Sequence, residues 1–445
     1  MPAVNEITSE LAASRGQHMS EQRQPTRAPD DYKIVLVSAA IPPVFSGAGH
    51  RFYKYAQRLE RRAQLAFLVC LAFEEESYHD FRRELDEKYI VRMAPEGMPN
   101  VRVSSLRTFV LKLWRLLLLF LRVGWLLLRR RSQYDVVHVV SESWVCAFAL
   151  FWARTLGRSA IYESSLVGQD DLPAIMHAAG RVKVKYWLLT RAHAYVAISP
   201  RLYNLFRTAG IRDDRLYLIG NSVQTDVFCP IDECSKTKLR KRLGLPEDGP
   251  TILFVGGIVK RKGADLLPEI FRRVLRDFPV ATLLLVGKEQ WSAQSEGVGT
   301  LIRRELHDYI AAGQVIIAGT VGNVHEYMQA SDVFLFPSRR EGFGTVLAEA
   351  MACGLPAVVR NIEGITSYIL KDGVDGIIVS GDDTASYADG IIRLFLNHAE
   401  YLAMSRQART HIISSFSDNV IDEQYRLTYR GLLATAAKRT NKRRV

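Results

Sequence analysis

The sequence is short of nearly every mark of a secreted, metal-bound or membrane-spanning protein. Its five cysteines (Cys70, Cys146, Cys229, Cys234 and Cys353) are odd in number and scattered. No CxxC pair occurs, and no Cys/His cluster has zinc spacing. That excludes a disulfide framework and a structural zinc site, and it fits reduced, mostly buried thiols in the cytoplasm. Residues 1–30 hold no apolar h-region and are rich in Ser, Glu, Gln, Arg and Pro; they read as a disordered leader. The most apolar stretch is cut by Arg115 and Arg122, so it falls short of the roughly 20 apolar residues that a spanning helix needs. The dinucleotide fingerprint is missing too. Gly47-Ala48-Gly49 lacks its third glycine because position 52 is Phe, which argues against a nicotinamide cofactor. Acidic residues are in deficit, 47 against 59 Lys plus Arg, for a net charge of +12. Such a balance suits an anionic membrane surface, a phosphorylated substrate or a nucleic acid. No nucleic-acid-binding module accompanies it.

What is present is a regular alternation. Lys33–Ser38, Leu65–Cys70, Asp135–Val140, Ser159–Glu163, Tyr195–Ser199 and Leu216–Gly220 are short apolar runs separated by helical stretches such as His50–Arg62. A second series comprises Thr251–Gly256, Thr282–Gly287, Gln314–Ala318, Asp332–Pro337, Ala357–Arg360 and Gly376–Val379. Continuous apolar runs of this length suit parallel strands buried on both faces. The alternation predicts an α/β protein of two Rossmann-like, doubly wound domains. Pro230, Pro246 and Pro250 mark the join, giving domains over 31–222 and 223–418. An amphipathic helix over 419–435 is expected to pack back on the first domain, with a basic tail over 436–445.

Residues 106–131 carry seven basic residues and no acidic one. At helical pitch Arg107, Lys112, Arg115, Arg122, Arg129 and Arg130 share an arc of about 140°, and Leu, Phe and Trp fill the remainder. This is the profile of a helix lying in a membrane interface with its cations toward lipid headgroups. His138, inside a strand, reads as a core histidine.

The chemistry concentrates after Pro337. Gly342 and Gly344 let a loop approach a ligand closely. Thr345–Cys353 reads as a helix stopped by Gly354 and Pro356. The loop therefore presents free N–H groups at a helix N-terminus, a natural diphosphate site. Glu341 on the loop can reach a sugar. Glu349, two turns into the helix, can accept hydrogen bonds from ribose hydroxyls.

Phe336-Pro-Ser-Arg-Arg-Glu-Gly-Phe-Gly-Thr-Val-Leu-Ala-Glu349 resembles the E-x7-E signature of glycosyltransferase family 4, whose members are retaining enzymes of the GT-B fold. The resemblance implies two domains facing a cleft and a nucleotide-diphosphate sugar as co-substrate, with no tightly bound cofactor or metal. It assigns Glu341 to the donor sugar, the loop Gly342-Phe343-Gly344 to the diphosphate and Glu349 to the ribose. Ser338 and Thr345 flank this donor site. Phe254-Val-Gly-Gly-Ile-Val-Lys-Arg-Lys-Gly263 resembles the family's FVGRLxxxKG, which places Lys262 on the donor phosphates. Gly257 stands where the family usually has arginine, and Arg261 is a candidate substitute. Ile219-Gly-Asn-Ser-Val-Gln-Thr-Asp-Val-Phe228 resembles the interdomain NGVDxxxF, with Ser222 and Gln224 departing from it. Gly47, Ala48 and Gly49 occupy the family's glycine loop for phosphate or acceptor. Ser164 and Ser165 lie where many members have a histidine near the reaction centre. Asp170 and Asp171 suit helix capping or acceptor contacts better than a metal.

The implied activity is retaining sugar transfer to a lipid-linked or polysaccharide-precursor acceptor, by a protein peripheral on the cytoplasmic face of a membrane. Glu341 and Lys262 are the expected catalytic pair. A GT-B nucleotide-sugar epimerase or hydrolase, or a silent scaffold of the same fold, are the alternatives.

Overall fold

The computed structural model describes residues 31–39, 47–71, 86–93, 106–177, 182–289 and 297–442. The leader and most of the loop ahead of Gly47 lie outside them. Two parallel sheets organise the chain. In the first, β1 (Ile34–Ser38), β2 (Leu65–Cys70), β3 (Ile90–Arg92), β4 (Val136–Val140), β5 (Ser159–Ser164), β6 (Ala194–Ala197) and β7 (Leu216–Leu218) take the order β3-β2-β1-β4-β5-β6-β7. In the second, β8 (Thr251–Val255), β9 (Thr282–Val286), β10 (Val315–Gly319), β11 (Val333–Phe336), β12 (Ala357–Arg360) and β13 (Ile377–Val379) take the order β10-β9-β8-β11-β12-β13. The inner strands are buried on both faces, as their unbroken apolar runs require. Only β3 has no counterpart among the expected runs. It is three residues long and half exposed, so its sequence carries no apolar run.

Strand order reverses between β1 and β4 in the first sheet and between β8 and β11 in the second. Ligands of open α/β sheets bind beyond the strand C-termini at such reversals. The loops carrying Lys262 and Glu341 follow β8 and β11, the two strands flanking the second reversal.

The chain crosses between the domains twice. Val223 and Ser417 form a parallel bridge, with Val223 N donating to Phe416 O at 2.8 Å. Arg409 fastens helix His398–Phe416 by donating to the carbonyls of Phe228, Ala352 and Thr225 at 2.6–3.0 Å. Helix Asp418–Lys442 then returns to the first domain. There Asp422 accepts from Arg58 Nε at 3.0 Å and pairs with Arg62 at 2.9 Å.

Candidate active site

Gly263 sets the second domain's side of the cleft. Its φ is +73°, and a Cβ there would stand 2.2 Å from Pro337 O. Only glycine lets the β8 loop press against the β11 loop. That contact brings Lys262 Nζ to 2.6 Å from Glu341 Oε1, and Ser338 Oγ donates to the same oxygen at 2.7 Å. Glu341 is buried, and its Oε2 takes no hydrogen bond among the described residues. One carboxylate oxygen is thus held by the protein and the other is left for a ligand.

The helix Thr345–Ala352 begins directly after this loop. Its first internal bonds are from Leu347 and Ala348 to Gly344 O, which leaves the amides of Thr345 and Val346 open to an anion. Glu349 is the fifth residue of that helix, one turn in rather than the expected two. Its carboxylate has no partner among the described residues, and burial pushes its pKa up to about 8.

Several expected roles are narrowed by the geometry. The Phe343 ring is buried against Phe416 (centroids 5.3 Å apart) and Tyr368 (6.2 Å), so only its backbone can meet a donor. Arg261 Nη1 donates to Arg340 O at 2.9 Å, which ties that guanidinium to the Glu341 loop. Gly257 follows β8 and offers no cation. Asn221 was unmarked as a site residue in the sequence. Its Nδ2 donates to Thr345 Oγ1 at 2.7 Å, and its buried Oδ1 has no partner among the described residues.

In the first domain, Gly47, Ala48 and Gly49 open the helix Gly47–Arg61. The Ser164 and Ser165 hydroxyls both donate to the buried Asp170 carboxylate, which also accepts from the amides of Ser165 and Leu166 at 2.7–3.0 Å. These serines therefore shape the loop and do not present free hydroxyls. Asp171 caps the short helix Leu172–His177, accepting from Ala174 N at 2.9 Å. No group of three or more metal-ligating side chains occurs among the described residues. Ser165 O meets the second domain: a Cβ on Gly342 would stand 2.0 Å from it.

Behind this loop lies a buried polar cluster that the sequence did not reveal. Glu163 contacts Arg51, accepts from Tyr425 Oη at 2.6 Å and lies 3.2 Å from His138 Nε2. The last contact lacks the alignment of a hydrogen bond. His138 Nδ1 lies 2.8 Å from Tyr429 Oη. Burial acts to raise the Glu163 pKa, but Arg51 and the His138 and Tyr425 contacts outweigh it and hold it at about 2. His138 is thus a core histidine with polar company.

The basic segment forms the helix Leu106–Arg129. Leu119, Val123, Leu126 and Leu127 are buried, and Trp152 Nε1 donates to Phe120 O at 3.0 Å, fixing the helix to Trp144–Thr155. The apolar arc is therefore split. Its outer part, with Val110, Leu113, Trp114, Leu117, Leu121, Trp125 and Leu128, faces solvent, each residue 45–59% exposed. Arg115, Arg122 and Arg129 are exposed along one border, and Arg129 lies 5.0 Å from the Trp125 ring centroid. Among the described residues no helix is long and apolar enough to cross a membrane.

Two facing doubly wound domains, with the last helix returned to the first, define a GT-B enzyme fold. A family model described as "Glycosyl transferases group 1" matches residues 235–411, and one described as "Glycosyl transferase 4-like domain" matches residues 46–222. The chain belongs to glycosyltransferase family 4 and is a glycosyltransferase. It is 29% identical over 300 residues to the D-inositol 3-phosphate glycosyltransferase of Xylanimonas cellulosilytica, covering 63% of this chain and 68% of that one. It is 29% identical over 308 residues to the N-acetyl-alpha-D-glucosaminyl L-malate synthase of Bacillus anthracis, covering 68% and 76%. Among solved structures, Anabaena HepE in complex with UDP superposes with a TM-score of 0.71 at 18% identity, over 90% of this chain and all of that one. That likeness is one of fold.

Proposed function

We propose that this enzyme transfers a sugar from a UDP-sugar, with retention of anomeric configuration, to a lipid-linked or polysaccharide-precursor acceptor at an anionic membrane surface. The observation that carries the donor half is Glu341, with one oxygen held by Lys262 and Ser338 and the other free, beside an open helix N-terminus. In this reading the diphosphate lies on Lys262 and the amides of Thr345 and Val346, and the ribose lies on Glu349. Glu341 Oε2 orients the sugar. As the bond from the sugar C1 to the diphosphate breaks, charge grows on the leaving oxygen, and Lys262 and the helix dipole are already aimed at it. The close approach of Gly342 to Ser165 O excludes water from that bond.

Uridine as the base is supported by the UDP and UDP-glucose complexes of the Anabaena neighbour. The membrane reading is supported by the outward apolar face of Leu106–Arg129 with its cationic border. A stabilisation panel of UDP-, GDP- and ADP-sugars tests the donor, with an upward melting shift expected for a UDP-sugar. The anomeric configuration of the product, read by NMR, tests retention. Absence of any shift, or near-normal transfer by Glu341→Ala, refutes the assignment.

A further inference from the structure

A cavity of about 320 Å³ opens in the cleft beside Glu341, at the lower end of the roughly 300–1,000 Å³ common for small-molecule sites. Its lining includes four arginines, Arg201, Arg339, Arg340 and Arg360, and two carboxylates, Glu341 and Glu363. Lys262, Gly257 and Thr345 do not line it.

Most of these charges are already matched. Arg339 pairs with Asp265 at 2.6 Å and with Asp382 at 3.0 Å, and Arg360 also contacts Asp382. Glu341 is matched by Lys262. Arg201 lies 3.2 Å from Glu363, whose side chain is 83% exposed, and a pair so open to water contributes little. Arg340 has no carboxylate or hydrogen-bond acceptor for its guanidinium among the described residues, although its carbonyl is fixed by Arg261. Its Nη1 would lie 3.5 Å from a Cβ placed on Gly168, so the side chain reaches across to the first domain. Arg201 N donates to Gly364 O at 3.1 Å, which holds the base of that side chain at the cavity.

Two guanidinium forks with spare donors, one from each domain, thus line the same cavity as Glu341. A ligand of hydroxyls alone makes no use of their charge. A carboxylate or phosphate matches the fork geometry and takes two parallel bonds from each. We propose that this cavity binds a carboxylate or phosphate group borne by the glycan part of a substrate, gripped between Arg340 and Arg201. The inference rests on the UDP-sugar transferase reading and names the substrate class of that site. The anion has two possible sources, the donor sugar or the acceptor.

Calorimetric titration of the full chain separates them. In one arm UDP-glucuronate is compared with UDP-glucose. In the other, UDP-saturated protein is titrated with glucose 6-phosphate and with glucose. The expected result is a preference of about tenfold or more for the anionic ligand in one arm. Arg340→Ala and Arg201→Ala should each remove most of it, and Arg340→Lys should restore part. UDP affinity should stay within about twofold in all three variants. Preference in the first arm places the anion on the donor, and preference in the second places it on the acceptor. No preference in either arm overturns the proposal, as does a preference that survives both alanine substitutions. Loss of UDP affinity in Arg340→Ala also overturns it, because that puts the guanidinium on the diphosphate. Wild-type protein that does not bind UDP at all refutes the transferase reading, and the inference falls with it.

Discussion

Glu349 is an acid whose protonation should control donor binding. Its carboxyl has no protein partner among the described residues, and burial raises its pKa from the usual 4.5 to about 8. Near pH 7 roughly one molecule in ten then carries the carboxylate. If two ribose hydroxyls donate to the ionised form, apparent affinity near pH 7 is reduced about tenfold, or about 1.4 kcal/mol. That reduction vanishes about two pH units higher. The dissociation constant of UDP-glucose should therefore fall about tenfold between roughly pH 7 and pH 9, and binding near pH 7 should release close to one proton. Titration calorimetry in two buffers of different ionisation heat reads both quantities. UDP-glucose suits the assay because its diphosphate does not titrate in this window. The stability of the free protein should move the opposite way. With the folded pKa raised, the unfolded chain binds fewer protons between about pH 4.5 and pH 8, so the group's contribution is present at acid pH and lost as pH rises through about 8. Glu349→Gln should flatten both profiles and gain stability relative to the parent as pH rises. A flat affinity profile in the parent, or an unchanged slope in Glu349→Gln, refutes the ribose assignment.

Gly342→Ala places a Cβ against the Ser165 carbonyl, and that backbone cannot yield without opening the cleft. We expect kcat/KM to fall by about a hundredfold in steady-state transfer, with the unfolding midpoint little changed. Glu163→Ala strips the counter-charge from the buried Arg51 and should cost about 3–5 kcal/mol in denaturant unfolding; a loss under about 1 kcal/mol would contradict the description of that cluster. Trp114→Ala and Trp125→Ala should each weaken co-sedimentation with phosphatidylglycerol vesicles about tenfold or more, since each removes an exposed aromatic from the outer face. Added salt should weaken the parent's vesicle binding further by screening Arg115, Arg122 and Arg129.

The two halves of the site differ in how far the sequence exposes them, and the difference is one of distance along the chain. The second domain's side is built by short contiguous segments: a strand, a glycine turn and the first turn of a helix. Lys262 and Glu341 lie 79 residues apart, yet each sits in its own recognisable strand-to-loop string. Such strings are readable because backbone geometry dictates their glycines, as at Gly263. The same holds for the strands, whose apolar runs marked every parallel strand except the half-exposed β3. Side-chain exposure within a helix is a different matter. The arc of Leu106–Arg129 could be drawn from the sequence, but not which part Trp144–Thr155 would cover. Periodicity gives the face, and packing decides its partner.

The first domain's side of the cleft assembles from residues that no local pattern connects. Glu163 is met by Arg51 from 112 positions earlier and by Tyr425 from 262 positions later. A single sequence gives no signal for such a meeting. A carboxylate near the end of a buried strand is the one available hint, since a buried charge must be paired. The cluster bears on the Ser164–Ser165 departure from the family pattern. Those hydroxyls are occupied by Asp170, so they cannot replace the work of a histidine side chain. What the loop does supply is a backbone carbonyl, Ser165 O, set against Gly342. Its position depends on β5, and β5 is anchored at its end by Glu163 to the helix that follows the glycine loop and to the returning C-terminal helix. Placement of Ser165 O is therefore tied to this buried cluster. Arg340 and Arg201, to which we assign a substrate anion, stand outside this cluster and line the cavity beside Glu341.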